Sequence, residues 1–231
     1  MLMRDIAVDD LTAQFRAIIL DVQYPCVGAK AALNQDHIEI LVAMDICCPA
    51  DDARIHAALS AFAGRYKADP QPFQSLAVLF RGPEDLSEKG FEQALWQRVQ
   101  ALSDIDAAKH QPYDPRVSPD AGDPHFSLSF GGEAFFLVGL HPLSSRPARR
   151  FMTPALIFNP HDQFERLRAQ GRYDGLSRAI TCRDVALAGS PNPMLAKHGD
   201  ISAARQYSGR AVSKNWRCPF ESHHEELNDD R

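Results

Sequence analysis

The sequence predicts a single domain of α/β or α+β class, a mixed central sheet flanked by helices across residues 1–220, with a polar tail over 221–231. Three observations predict it. In the first half, short apolar runs with β-branched members are separated by stretches of helical periodicity. Further on, two strand-like segments flank a Gly-Gly pair, the signal of an antiparallel hairpin. The chain has 231 residues, 45% hydrophobic and 24% charged, which matches an ordinary globular domain able to bury a full core.

Taken in order, residues 8–20 carry Leu11, Phe15, Ile18 and Ile19 at helical spacing, an amphipathic first helix. Tyr24-Pro25-Cys26-Val27-Gly28 breaks that pattern and leads into an Ala-rich turn of helix. The dense apolar run Ile38 to Ile46 reads as a buried strand. Asp51 or Asp52 caps a helix running to about Tyr66. Ser75 to Phe80 is another buried strand. Ser87 then caps a helix to about Ser103, with Phe91, Leu95 and Val99 on one face. Residues 109–124 are rich in Pro and Asp and form a loop. Phe126 to Phe130 and Glu133 to Leu140 are the arms of the hairpin, turned by Gly131-Gly132. Pro154 to Phe158 is one more strand, and helices follow over 161–169 and 173–187, divided by Gly171. Residues 189–220 read mostly as loop, and the terminal 221–231 as a frayed end.

A net charge of -5 gives no general attraction to nucleic acid. No apolar run approaches the about 20 residues of a membrane helix. Asp5, Asp9 and Asp10 interrupt the start, so neither a signal peptide nor a transit peptide is expected. Five cysteines, an odd number with an adjacent pair, do not form a disulfide framework or paired zinc knuckles. Reduced thiols in a cytoplasmic protein are the expectation.

The residues with chemistry cluster between His141 and Gln163. His141 follows one apolar strand and His161 another, so the two imidazoles are expected on one rim of the sheet, each with a structural cap as its alternative. Between them lie Ser144, Ser145, Arg146, Arg149 and Arg150. Guanidinium forks and hydroxyls beside apolar strands suit an anionic cofactor with an apolar body, heme among them, and a solvated turn is the other reading. A second patch joins Arg205, Tyr207 and Arg210 around Gly209. Acids available to a cationic substrate are Asp162, Glu165 and Asp184, the last beside Arg183 and open to a local ion pair. Cys48 and Cys218 each precede a proline, and a thiolate can ligate heme, but so short a motif is weak. Cys26 sits in a more distinctive loop and is a candidate for lining a pocket. No nucleophile elbow or phosphate-binding glycine loop is present.

Several blocks in fixed order carry a resemblance. They are Tyr24 to Ala31, His141 to Arg146 with Arg149-Arg150-Phe151, Phe158 to Glu165, Arg183-Asp184, Asn192-Pro193, Gln206 to Arg210 and Trp216 to Phe220. Together they resemble the YqcI/YcgG family from about Tyr24 to Phe220. That family includes heme-dependent N-hydroxylases of guanidino groups, such as arginine in D-cycloserine formation and a cyclic guanidine in guanitoxin formation. The resemblance implies a heme b (iron) monooxygenase that places a hydroxyl on a substrate nitrogen. The resemblance assigns no axial ligand; neutral imidazole is a common proximal ligand of heme, which puts the iron on His141, ahead of His161 and then Cys218. On the chemistry of the side chains, Arg146, Arg149, Arg150 and Arg210, with Ser145, are expected to clamp cofactor or substrate anions, Cys26 and Tyr207 to line or stack on the cofactor, and Glu165 and Asp184 to take part in proton transfer. The enzyme's partners would be a small guanidine or arginine-like substrate and an external electron donor, since no flavin or nicotinamide fingerprint is present. A homodimer stays open. Rival readings are heme binding without turnover, a non-heme metal held by His141, His161 and Asp162, and a cofactor-free anion-binding domain. In one departure, Ser202-Ala203-Ala204 has alanine where the resemblance leads one to expect an acid, which leaves the substrate open.

Overall fold

A computed structural model describes residues 8–195 and 199–224. Its elements in order are α1 (Val8–Leu20), α2 (Val27–Asn34), β1 (Ile38–Asp45), α3 (Asp52–Ala68), β2 (Ser75–Gly82), α4 (Glu88–Ala108), β3 (Leu128–Phe130), β4 (Glu133–Leu140), β5 (Ala155–Pro160), α5 (Asp162–Ala169), α6 (Tyr173–Ala188) and α7 (Ala204–Tyr207). The five strands form an open mixed sheet in the order β1-β2-β5-β4-β3. Only β1 and β2 are parallel, with α3 as their crossover, and every other pairing is antiparallel. The fold is α+β.

Period-two alternation gives each central strand two different faces. Leu76, Val78 and Phe80 of β2 join Phe135 and Leu137 of β4 and Leu156 and Phe158 of β5 against α3 and α4. Ala77 and Leu79, with Leu140 and Ala155, point to the opposite side, where α1 and α2 supply Leu11, Phe15, Ile19 and Ala32. The α4 face is tightly filled. A Cβ placed on Gly139 would lie 2.8 Å from Phe91 Cε1 and 2.9 Å from Leu95 Cδ1, so the strand approaches α4 as closely as it does because this residue has no side chain.

Local chemistry sets the boundaries. Ser87 caps α4 by accepting from the Gly90 amide at 3.1 Å. The hairpin turns on Gly131 and Gly132, at φ +58° and +71°, the left-handed pair that a two-residue turn needs. Two expectations need correction. Helix α4 runs one turn beyond Ser103 because Asp106 is held at its end, accepting from His56 Nε2 (2.7 Å) and the Gly131 amide (3.1 Å). The tail is also not frayed from residue 221. Glu221 exchanges hydrogen bonds with Gln100, His223 meets Asp104 at 2.9 Å, and His224 meets Asp106 at 3.3 Å, so α4 holds residues 221–224. Residues 225–231 lie outside the described ones.

Candidate functional site

The face opposite α4 is only partly covered. Helices α1 and α2 seal the β1 and β2 side, and a cavity of about 380 Å³ remains over β4 and β5. Its floor is the alternate set of strand side chains, Phe136 and Val138 from β4 with Ile157 and Asn159 from β5. Helix α6 forms a wall. None of its 16 residues is buried, and Leu176, Ile180 and Asp184, one helical turn apart, line the space. Helix α6 ends at Gly189, at φ +74°. Among the described residues, no helix is long and apolar enough to cross a membrane.

The charged groups on the wall differ in how they are compensated. Arg146 is nearly buried and grips Asp184 through Nε at 2.9 Å and through Nη2, which also donates to the Ser190 carbonyl at 2.9 Å. Arg168 pairs with Glu165 and lies 4.3 Å over the Tyr173 ring. Arg149 has no acid partner among the described residues. Its guanidinium donates only to backbone carbonyls, those of Gly139 (3.1 Å), Tyr207 (3.3 Å) and Gln206 (3.1 Å). Burial pulls its pKa below the usual arginine value, opposed by the nearby Tyr24 hydroxyl and by Asp184. Beside it, Cys26 caps α2 by accepting from the Ala29 amide at 3.4 Å. Burial pushes the Cys26 thiol and the Tyr24 hydroxyl up, so both are neutral near pH 7.

At the other end of the cavity are Ser75, Asn159, His161 and Gln163. Ser75 donates to Asn159 Oδ1 at 2.8 Å, and Asn159 Nδ2 donates to the Phe136 and Ile157 carbonyls at 3.2 Å. Gln163 is 5% exposed and donates to the Gln74 carbonyl at 3.3 Å, while its Oε1 has no hydrogen-bond partner among the described residues. His161 faces Ser127 Oγ through Nδ1 at 3.0 Å and Glu165 through Nε2 at 3.2 Å. It also borders a second pocket of about 340 Å³, whose lining includes Arg116, His125, Asp162 and Glu165. The imidazole thus borders both the mainly apolar cavity and a pocket lined by charged side chains.

The two histidines do not share a rim. Strands β4 and β5 are antiparallel, Leu140 opposite Ala155 and Phe135 opposite Pro160, so the residues following them emerge at opposite ends of the sheet. His161 lies opposite Ala134, about seven residues from His141 along the sheet, roughly 23 Å. They also face opposite sides. His141 is 1% exposed and stacks on Phe91 of α4, centroids 4.4 Å apart at 18°. Neither of its ring nitrogens has a hydrogen-bond partner among the described residues, and burial lowers its pKa. The facial set of His141, His161 and Asp162 is therefore not formed. No group of three or more His, Cys, Asp or Glu able to hold a metal ion occurs among the described residues.

Of the residues singled out from sequence, Cys26, Arg146, Arg149, His161 and Asp184 meet at the cavity, and Glu165 stands behind His161 in the second pocket. The others are placed elsewhere. Ser145 binds Glu88 at the start of α4 (Oγ, 2.7 Å). Arg150 donates to the Ser144 carbonyl at 2.7 Å. Arg210 is tied to Glu92, Nε at 2.9 Å. Tyr207 is fully buried among Trp96, Phe126 and Phe136. The block from Gln206 to Gly209 nonetheless serves the site. Two of its carbonyls hold the Arg149 guanidinium, and a Cβ at Gly209 would lie 3.2 Å from Arg149 Cγ. Sequence reasoning missed Ser75, and it included Asn159 and Gln163 in the functional segment without giving either a role. The alternation Asn159, His161, Gln163 past an apolar strand is the signal that would have found the last two. Ala203, in the stretch where an acid was expected, is also on the wall and adds no carboxylate.

Residues 15–221 match the model of the YqcI/YcgG family. One relative, the uncharacterized protein YcgG of Bacillus subtilis (strain 168), is 30% identical over 211 residues, covering 85% of this chain and 80% of its own length. No solved structure matches.

Proposed function

The chain belongs to the YqcI/YcgG family, and from that membership we propose that it is a heme-dependent oxygenase that N-hydroxylates a guanidino or amino group of a small, amino-acid-like substrate. The observation that carries the reading is one cavity joining an apolar floor, an uncompensated arginine and a histidine on its wall. This donor set suits heme b. Its ring needs an apolar slot, its propionates need a cation, and its iron commonly takes an imidazole.

In this reading His161 holds the iron in place of His141, which packs on the far side of the sheet. Ligation through one ring nitrogen leaves the other to Ser127 or Glu165, which fixes the tautomer and the ring orientation. Bound heme would supply activation of dioxygen or peroxide for oxygen transfer to nitrogen. The chain's own groups do the rest. Arg149 offers N–H donors to a carboxylate, and the apolar floor excludes water beneath the reacting group. A guanidinium, with a pKa of about 12.5–13.8, stays protonated near pH 7, so the site either helps to remove a proton or transfers oxygen to the cation. Asp184, oriented by Arg146, is the carboxylate on the wall placed to receive that proton. Glu165, on the far side of His161, connects that imidazole to the second pocket. Electrons come from a separate donor protein, or peroxide serves directly, and the cytoplasm is the proposed setting.

The test is spectroscopic and then chemical. Protein expressed with hemin should show an intense Soret band that shifts on reduction and with carbon monoxide. It should then convert a member of a panel of guanidines and amines to an N-hydroxylated product. A colourless protein that takes up no heme contradicts the proposal.

A further inference from the structure

We infer that Trp96 and Trp216 carry oxidising equivalents out of the cavity to the surface, where a small O–H donor of the phenol or ascorbate class restores Trp216. The inference rests on the oxygenase reading above and concerns turnover in which no substrate takes the oxygen. An oxidant left in the cavity then attacks the groups around it unless an electron reaches it from elsewhere.

A line of rings joins the cavity to the α4 side of the sheet. Phe136 and Phe126 border the cavity. The Tyr207 ring stands edge-on to Phe136, centroids 5.2 Å apart at 86°, and 6.2 Å from Phe126. Behind it, Trp96 of α4 is 5.9 Å from Tyr207, and Trp216 is 6.3 Å from Trp96. Separations of this size are those of rings in direct contact, so an electron passes through packed atoms and crosses no void. Indoles give up one electron far more readily than phenyl rings do. The chain has two tryptophans, and they are consecutive members of this line. Tyr24 and Tyr173 also line the cavity, but oxidation of either leaves the damage at its wall.

The surroundings give the line a direction. Trp96 is 3% exposed, and its Nε1 has no hydrogen-bond partner among the described residues. A buried polar group left in this state calls for a reason, and redox use is one. With no acceptor at hand, the Trp96 N–H has nowhere to send its proton. On losing an electron the ring stays a radical cation, a charge that apolar surroundings disfavour. It is discharged by taking an electron from a neighbour that can also lose a proton. Trp216 is that neighbour, half-buried between the exposed Asn215 and Arg217, where water can take its proton. The Arg205 guanidinium, 5.8 Å from the Trp216 ring centre, favours the neutral radical that remains over a second cation.

The balance closes with hydrogen peroxide as oxidant. Peroxide takes two electrons and two protons and becomes two waters. Each electron leaves Trp96 and is replaced from Trp216, whose proton goes to solvent. An O–H donor then returns one electron and one proton to Trp216, so two donor molecules become two radicals per peroxide.

The test uses full-length, hemin-loaded protein, with its Soret band recorded first. It is mixed with hydrogen peroxide in the absence of substrate and frozen for electron paramagnetic resonance. The expected signal is an organic radical that narrows when the tryptophans carry deuterated indole rings and is lost on adding ascorbate. A nitroso spin trap should mark Trp216 in peptide mass spectra. Trp216→Phe keeps a ring in place and should lose both the indole signal and the adduct, while its Soret band persists and bleaches faster in peroxide. Trp96→Phe should lose the adduct although Trp216 is intact, which a purely packing role for Trp96 would not produce. If Trp96→Phe does not fold, Trp216→Phe carries the test alone. A radical confined to Tyr24 or Tyr173, or a Trp216 adduct that survives Trp96→Phe, overturns the inference. A full Soret band with no protein radical overturns the relay and leaves the oxygenase reading standing, whereas a protein without a Soret band sinks both.

Discussion

The two faces of the sheet are built from neighbouring residues of the same strands and end in opposite conditions. Toward α3 and α4, 26 buried apolar residues among those described form one continuous cluster. Toward α1 and α2 the corresponding cluster has 10, and the uncovered part over β4 and β5 is the cavity. Each face carries one of the two histidines that follow β4 and β5. His141 lies under an aromatic ring on the full side, and His161 stands on the wall of the open one. A histidine at a strand end is thus no guide to function until the side it faces is known. On a packed face it is core, and on an uncovered face it borders a space a ligand can enter.

The sharpest way to break this contrast is to enlarge adjacent positions on β4. Gly139→Val puts methyl groups where Phe91 and Leu95 already lie within 3.0 Å of an added Cβ, and should cost about 1–3 kcal/mol or more in denaturant unfolding. Val138→Phe, one residue away on the cavity side, should change stability by less than about 1 kcal/mol and abolish ligand uptake. If both variants unfold alike, the two faces are not different in kind.

A smaller effect separates the faces by pH. Burial holds the His141 pKa below its ordinary 6.5. Below 6.5 the unfolded chain therefore binds a proton that the folded chain refuses. The stabilisation present above that pH should fall away as the solution is acidified toward the folded-state pKa. His141→Phe keeps the stack on Phe91 and removes this component, so its stability profile should be flatter below pH 6.5. An unchanged slope would show that His141 does not titrate in this way.

Most of the fold could be read from the chain because its signals are local. The 3.6-residue spacing of Leu11, Phe15 and Ile19, the Ser87 cap and the Gly131-Gly132 turn each act within a few residues, and each element is found where they place it. The site was only partly legible, because it depends on strand direction. Nothing within residues 133–160 says that β5 runs antiparallel to both neighbours, and that fact alone sends His141 and His161 to opposite ends. The arginines show the same limit. Arg146, Arg149 and Arg150 are near-equivalent in sequence, yet one meets an acid, one only carbonyls inside a cavity and one the carbonyl of an adjacent turn. The acid comes from α6, 38 residues away, and two of the three carbonyls come from α7, 57 and 58 residues away.

The proposed function places its chemistry on the open face, at His161. The direct measurement is the absorption spectrum of hemin-loaded His161→Ala and His141→Ala beside the unmodified chain. His161→Ala should lose or strongly shift the Soret band while His141→Ala keeps it. A Soret band that survives His161→Ala and disappears with His141→Ala would contradict it.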